Sequence, residues 1–200
     1  MSNPRAAAII IGDEILSGRT LDTNSQYLAK SLTSMGIDLC EVRTIEDDSD
    51  AIIKAARELK EKYDYVFTSG GIGPTHDDIT SISIAKALNL PYERNNQAFQ
   101  IITDLYKKRD QKINKAREKM SYMPSGSKLI IYSEEGVPGF KVDNIYVLAG
   151  IPNIFKAMLD SVISSFVPGK IMKTLTKEVM VGESVIAEEF LKLQKKYPKI

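Results

Sequence analysis

The sequence predicts an α/β fold, a mostly parallel sheet with helices on both faces, followed by a short C-terminal β-α appendage. Three observations carry this. The apolar runs at residues 5–11 and 65–67, the latter within a strand over 63–68, are continuous rather than alternating, as in strands covered on both faces. The segments that follow them place apolar residues at helical spacing. The resulting order, β-α-β-α-β-α, demands crossover connections, and crossovers join parallel neighbours.

The elements follow in order. Residues 5–11 form the first strand, which Gly12 ends. The loop GDEILSGRTLDTNS comes next, with Asp22 or Asn24 as the cap of a helix. Tyr27, Leu28, Leu32 and Met35 give that helix one apolar face, and Gly36 stops it. Residues 37–45 read as the second strand. Asp47 to Ser49 cap a helix carrying Ile52, Ile53, Ala56 and Leu59, and the third strand follows. Ile79, Ile82, Ala85 and Leu88 mark another helix. Residues 95–119 are polar and rich in Lys and Arg, with Phe99, Ile102, Leu105, Tyr106 and Ile113 spaced for one or two exposed helices. Residues 128–132, 140–142 and 145–149 read as strands. The turn Gly150-Ile151-Pro152 then opens a helix bearing Ile154, Phe155, Met158, Leu159, Val162 and Phe166. Pro168 and Gly169 close the main domain, residues 1–168. Residues 169–200 hold a strand over 175–181 and a helix over 186–197. They are too few to build a core and read as an appendage or the start of a small subdomain.

Composition narrows the function. With 200 residues, 43% hydrophobic and 26% charged, the chain can build an ordinary globular core. A net charge of +1 argues against a nucleic-acid-wrapping protein. Cys40 is the only cysteine, so neither an intrachain disulfide nor a cysteine zinc cluster can form. No run approaches the ~18 apolar residues of a membrane helix. The apolar N-terminal stretch meets Asp13 and Glu14 at once, which marks a buried strand rather than a signal peptide. The cytoplasm is the expected compartment.

The chemistry concentrates in residues 68–80, TSGGIGPTHDDIT, between a strand and a helix. Gly70, Gly71 and Gly73 let a ligand approach the backbone, and N–H groups near a helix start favour an anion. Thr75 and Thr80 add hydroxyls. Asp77 and Asp78 repel phosphate unless a divalent cation lies between; the alternative is that one of them caps the helix. In a parallel sheet this loop and the loop after residue 11 lie at the same edge. The first loop brings Glu14, Asp22 and Asn24 to the glycines, Thr75, His76, Asp77 and Asp78. Two further readings stay open. Asn114, Lys115 and Arg117 form either a solvated helix face or a basic lip over the site. The Gly150 turn either lines the same pocket or simply connects a strand to a helix.

GDEILSGRTLDTNSQYL, TSGGIGPTHDDIT and the VPGF and LAGIP segments together resemble the molybdopterin-binding-like (MoCF) domain. That domain occurs in the cofactor-synthesis proteins MogA and MoaB, in gephyrin, and in the N-terminal halves of CinA (competence/damage-inducible protein) and eukaryotic FAD synthase. The resemblance covers residues 4–167 and implies a three-layer αβα, MogA-like fold. It is closer to the CinA and FAD-synthase branch, because Asp77 stands where the cofactor-synthesis branch usually has arginine. For that branch it implies divalent-metal-dependent pyrophosphate cleavage in ADP-ribose or FAD, with cobalt, magnesium or manganese. The matching positions are Glu14, Asp22, Asn24, Gly70, Gly71, Gly73, Thr75, Asp77, Asp78 and Thr80. It also implies a homo-oligomer, dimer or trimer.

In these terms Asp77, Asp78 and Glu14 are the candidate metal ligands and catalytic carboxylates. Gly70, Gly71, Gly73, Thr75 and Thr80 are candidate phosphate binders, with Asp22 and Asn24 for ribose or base and His76 for positioning. The expected partner is a small nucleotide or pterin, with neither membrane nor nucleic acid. The alternatives are a molybdopterin-binding transferase or carrier, and a non-catalytic oligomeric nucleotide-binding domain.

Overall fold

The computed structural model describes residues 2–133, 136–171, 178 and 180–198. In chain order its elements are β1 (Arg5–Ile11), α1 (Asp13–Leu16), α2 (Asn24–Ser34), β2 (Asp38–Ile45), α3 (Ser49–Lys62), β3 (Tyr65–Ser69), α4 (Thr80–Ala87) and β4 (Tyr92–Arg94). They continue with α5 (Asn96–Lys108), α6 (Lys115–Lys119), β5 (Tyr122–Pro124), β6 (Lys128–Ile130), β7 (Gly139–Val142), β8 (Ile145–Leu148), α7 (Pro152–Ile163) and α8 (Glu183–Lys196).

Six strands form one sheet in the order β2-β1-β3-β8-β7-β6. The β1–β2, β1–β3 and β3–β8 pairs are parallel. The β6–β7 and β7–β8 pairs are antiparallel, so β7 alone runs against the rest. The short link Asp143-Asn144 between β7 and β8 explains this: a tight hairpin cannot make a crossover.

β1 shows why there are three layers. Ala7, Ile9 and Ile11 face a core built with α3 and α4, through Ile52, Ala56, Leu59 and Ile84. Ala6, Ala8 and Ile10 face the opposite core, built with α2 and α7, through Leu28, Leu32, Phe155 and Leu159. A strand buried on both faces has no polar side to alternate, hence its continuous apolar run. Burying a residue such as Phe155 or Leu159 contributes roughly 1.5–3 kcal/mol. α3 is capped by Asp48, whose carboxylate accepts from the N–H groups of Asp50 and Ala51 at 3.0 and 2.9 Å.

Several expectations need correction. The loop after β1 contains the short helix α1. Tyr92–Arg94 and Tyr122–Pro124 pair as an antiparallel ribbon that periodicity did not reveal, because three-residue strands are too short to show a period. α4 buries Thr80, Ser83, Ile84, Ala85 and Ala87, while Ile82 and Leu88 are half-buried. The expected strand over 175–181 lies mostly outside the described residues. α8 forms as a helix, with none of its residues buried. Among the described residues no helix is long and apolar enough to cross a membrane.

Glu41, on the edge strand β2, gathers Arg43 at 2.6 Å, the Tyr63 hydroxyl at 2.7 Å and Lys62 at 3.0 Å. These donors hold its carboxyl at about 2, against an ordinary 4.5. A carboxyl depressed in the folded state stabilises above its unfolded value, and that stabilisation is lost as pH falls through the folded one. Glu41→Gln is therefore expected to flatten the loss of stability between pH 4.5 and about 2. At neutral pH it should cost about 1 kcal/mol once solvent screening is included. Urea titrations across that range check it.

Candidate functional site

Four strands, β1, β2, β3 and β8, end along one edge of the sheet. The chain winds from β1 to β2 on one side and returns to β3 on the other, so the loops after β1 and β3 diverge and leave a crevice. The ladders run on into the turns. Gly12 N–H donates to Ile45 O at 3.1 Å, and Gly70 N–H donates to Leu148 O at 3.2 Å.

The turn after β3 needs its glycines. Gly70 has φ +109°, and a Cβ there would lie 2.3 Å from the carbonyl oxygen of Ile11. Gly71 has φ +69°, and its Cβ would lie 2.1 Å from Thr80 Oγ1. Thr80 is the strut of this turn. It is fully buried, its hydroxyl donates to Gly70 O at 2.9 Å and its N–H donates to Gly71 O at 2.9 Å. Beyond the glycines, Asp78 Oδ2 accepts from the N–H of Thr75 at 2.8 Å and from its hydroxyl. Lys119 donates to Thr75 O at 2.6 Å and ties the loop to α6.

These loops floor a cavity of about 510 Å³. One side is acidic, with Glu14, Asp47, Asp77 and Asp78. The lining also includes Leu105, Tyr106, Arg109, Met120 and Tyr132, with Ile154 and Met158 from α7. A Cβ at Gly12 would meet both Glu14 carboxylate oxygens at 2.7 Å, so that carboxylate folds back over the end of β1. Asp13 and Asp47 staple two loops reciprocally: Asp13 N–H donates to Asp47 Oδ2 at 3.0 Å, and Asp47 N–H donates to Asp13 Oδ1 at 3.3 Å. Burial pushes the Asp47 carboxyl above its usual range. The hydrogen bond from Asp13 opposes this, and the negative charges of Asp13, Glu14 and Asp77 add to it. The Asp77 carboxyl is held below the usual range, first by the Thr75 hydroxyl. Burial raises the Tyr132 phenol, with Arg109 working the other way.

A carboxyl raised in the folded state is penalised when ionised, so its contribution to stability falls as pH rises from the ordinary value of 3.8. Asp47→Asn removes that penalty. It is expected to raise Tm at neutral pH by about 1–2 °C, with no gain at pH 3, where the aspartate is already protonated. Scanning calorimetry at the two pH values checks it.

Of the residues expected at the site, Glu14, Gly70, Gly71, Gly73, Thr75, Asp77 and Asp78 line this cavity. Thr80 does not; it is the buried strut. Asp22 and Asn24 line a separate small pocket next door. His76 stands in solvent, its nearest acidic partner Asp77 at 3.9 Å. Neither Asp77 nor Asp78 caps α4, whose N-cap is Ile79. The N–H of Thr75 already serves Asp78; among the described residues those of Gly71, Ile72 and Gly73 have no hydrogen-bond partner. Among the described residues no three His, Cys, Asp or Glu side chains are placed to hold a metal ion by themselves. The Gly150 turn lines the cavity, which settles that open reading. Asn114, Lys115 and Arg117 do not: Asn114 caps α6, and Arg117 covers the Tyr106 ring at 4.1 Å. Arg109 supplies the basic group instead. The sequence reading also passed over Asp47, taking it for part of a helix cap. Its place two residues past the end of a parallel strand is the signal that could have found it.

A family model described as a probable molybdopterin binding domain matches residues 7–169. A protein of Caldivirga maquilingensis is 37% identical over 171 residues, covering 83% of this chain and 66% of that protein. One of Saccharolobus islandicus is 35% identical over 201 residues, covering 96% of this chain and 76% of its own length. The chain thus spans 66% and 76% of these two longer relatives. Among solved structures, CinA of Thermoplasma acidophilum superposes with a TM-score of 0.75 at 30% identity, covering 82% of this chain and 99% of its own. The molybdopterin biosynthesis enzyme MoaB of Thermus thermophilus gives 0.52 at 17% identity, over 80% and 90%, a likeness of fold alone.

Proposed function

The chain belongs to the family of probable molybdopterin binding domains, and from that premise we propose that its cavity hydrolyses the pyrophosphate of a dinucleotide such as ADP-ribose or FAD, with a divalent metal. The observation that carries this is the pairing of a glycine turn, with open N–H groups, and three carboxylates, Glu14, Asp47 and Asp77, across one cavity. N–H groups suit phosphate, whereas the carboxylates repel it. Both suit a phosphate that arrives with a cation between. Magnesium-type ions are commonly held by one or two carboxylates plus substrate phosphates rather than by a protein cage, which agrees with the lack of a three-ligand set among the described residues.

Asp77 and Asp47 would hold that cation, with Glu14 behind them; bound there, it would offset phosphate charge and acidify a water. The chain's own residues do the rest. The N–H groups of Gly71, Ile72 and Gly73 bind phosphate oxygens. Arg109, in the same lining, supplies a counter-charge. Asp47 Oδ2 is fixed by the N–H of Asp13, which leaves Oδ1 for the cation, and the Glu14 carboxylate behind the pair takes the proton from the attacking water. Asp78 keeps the loop in shape through Thr75. Leu105, Tyr106 and Met120 offer an apolar wall to a planar ring and keep bulk water out.

The test is release of AMP from ADP-ribose and FAD by the purified chain, with cobalt, magnesium, manganese or no metal. Metal-dependent AMP release is expected. No turnover with any metal, from protein shown to be folded, would overturn the reading in favour of a binding domain. An adenylylated product from ATP and molybdopterin would instead support a cofactor-synthesis transferase.

A further inference from the structure

Between α4 and β6 the chain leaves the main sheet and returns to it. Over residues 91–125, β4 pairs antiparallel with β5, and Ser125 N–H donates to Pro91 O at 2.8 Å where the two ends meet. Ala98 and Met123 root this excursion in the core that β1 shares with α3 and α4. It carries Leu105, Tyr106 and Met120, the apolar wall of the cavity. The glycine turn and Asp77 belong instead to the loop after β3. The two halves of the proposed site therefore lie on separate pieces of the chain.

The short helix α6 joins them. Five residues have too few internal bonds to hold a helix in place, so its side-chain ties matter. Arg117 lies over the Tyr106 ring at 4.1 Å. It also donates to Gln111 Oε1 at 2.6 Å and to Lys112 O, which gathers in the turn after α5. Two residues on, Lys119 Nζ donates to Thr75 O at 2.6 Å. Its side chain is half-buried and turned onto a backbone carbonyl rather than out into water. Thr75 is thus held from two sides, because Asp78 accepts both its N–H and its hydroxyl. Met120 follows, 9% exposed and part of the cavity lining. Lys119 itself is not part of that lining.

We propose that Lys119 is a positioning residue: by fixing the Thr75 carbonyl it keeps the ring wall and the phosphate loop in one register, so that the cavity selects ligands carrying both a pyrophosphate and a planar ring over inorganic pyrophosphate. This rests on the nucleotide reading above. Two groups joined in one ligand reinforce each other only where their subsites keep a fixed spacing, and a displacement of about 1 Å can cost a hundredfold. The bond to Thr75 comes from an ammonium, so it is stronger than one between neutral groups. A role in merely drawing anions to the cavity would be shared with Lys115 on the same helix and would fade with salt.

Calorimetric titration with magnesium tests this, with inorganic pyrophosphate and ADP as probes. The quantity read is the preference for ADP, the ratio of the two dissociation constants. Lys119→Met is expected to lower it about tenfold or more; a merely structural or electrostatic role would weaken both ligands alike. Lys119→Arg keeps a donor for the Thr75 carbonyl and should stay within about threefold of the parent. Lys115→Met removes the same charge from the same helix and should leave the preference unchanged. Arg117→Met frees the Tyr106 ring at the other end of the strut. It should lower the preference as Lys119→Met does, and it decides the matter if Lys119→Met does not fold. Equal weakening of both ligands by Lys119→Met, or an unchanged preference, overturns the positioning role and leaves the phosphate cavity standing. So does a parent that binds pyrophosphate with no preference for ADP. A parent that binds neither probe overturns the nucleotide reading as well.

Discussion

Asp77→Ala is expected to lower metal-dependent AMP release by about 10²–10³-fold with Tm within a degree or two of the parent, an effect of the size found when one electrostatic group that stabilises a transition state is removed. Asp77 lies on the exposed side of the loop, and its side chain is 60% accessible. Its hold on the loop is through the Thr75 hydroxyl, which Asp78 continues to accept when Asp77 is removed. Asp78→Ala should behave differently. Asp78 Oδ2 holds both the N–H and the hydroxyl of Thr75, and a Cβ on Gly73 would fall 2.7 Å from that same oxygen. Removing it frees the loop, so activity and Tm should fall together, Tm by several degrees. Thermal melts beside AMP assays separate the two. If Asp77→Ala keeps full activity while Asp78→Ala loses it at unchanged Tm, the roles assigned to the two aspartates are exchanged.

The largest loss of stability is expected from Gly70→Ala. At φ +109° the backbone is in a region essentially closed to residues with a Cβ. The added methyl would also meet the Ile11 carbonyl oxygen at 2.3 Å. That oxygen belongs to β1, an interior strand, and cannot retreat without moving a core buried on both faces. A cost of at least about 3 kcal/mol follows, or roughly 6–12 °C in Tm for a chain of this size. Gly71→Ala should be milder. φ +69° is tolerated better by L-residues, and its methyl meets the Thr80 hydroxyl, which can turn away once its bond to Gly70 O is given up. Denaturant titrations of the two variants test the order. Equal midpoints would mean that the β3 turn is softer than its packing implies.

What could be read from the sequence divides along physical lines. The continuous apolar run of β1 requires a strand covered on both faces, and the helical spacing around Leu28, Leu32, Ile52 and Leu59 places the helices that cover it. Those signals are local and periodic, so composition and spacing carry them. The glycine turn was legible for the same reason: three glycines between a strand and a helix leave few backbone choices. The ribbon of β4 and β5 was not legible, because its stability comes from a partner some thirty residues away. The spacing of Ile79, Ala85 and Leu88 was legible as a helix, and these residues do meet the core, but the inward turn of Ser83, its hydroxyl within 3.1 Å of that of Ser49, was not.

The sequence by itself therefore determined the αβα architecture, the family and the loop that floors the site. Only the tertiary structure decided what each polar residue there does. It buried Thr80 as a strut of the turn, turned Asp78 back onto Thr75, left Asp77 more open at the cavity and sent His76 into solvent. It also brought Asp47 and Arg109 to a cavity that their neighbours in sequence do not announce. The physical reason is that a strand's pattern is fixed by which faces are buried. A carboxylate's role depends on which donors and charges lie within a few ångströms, and those arrive from four separate strand ends.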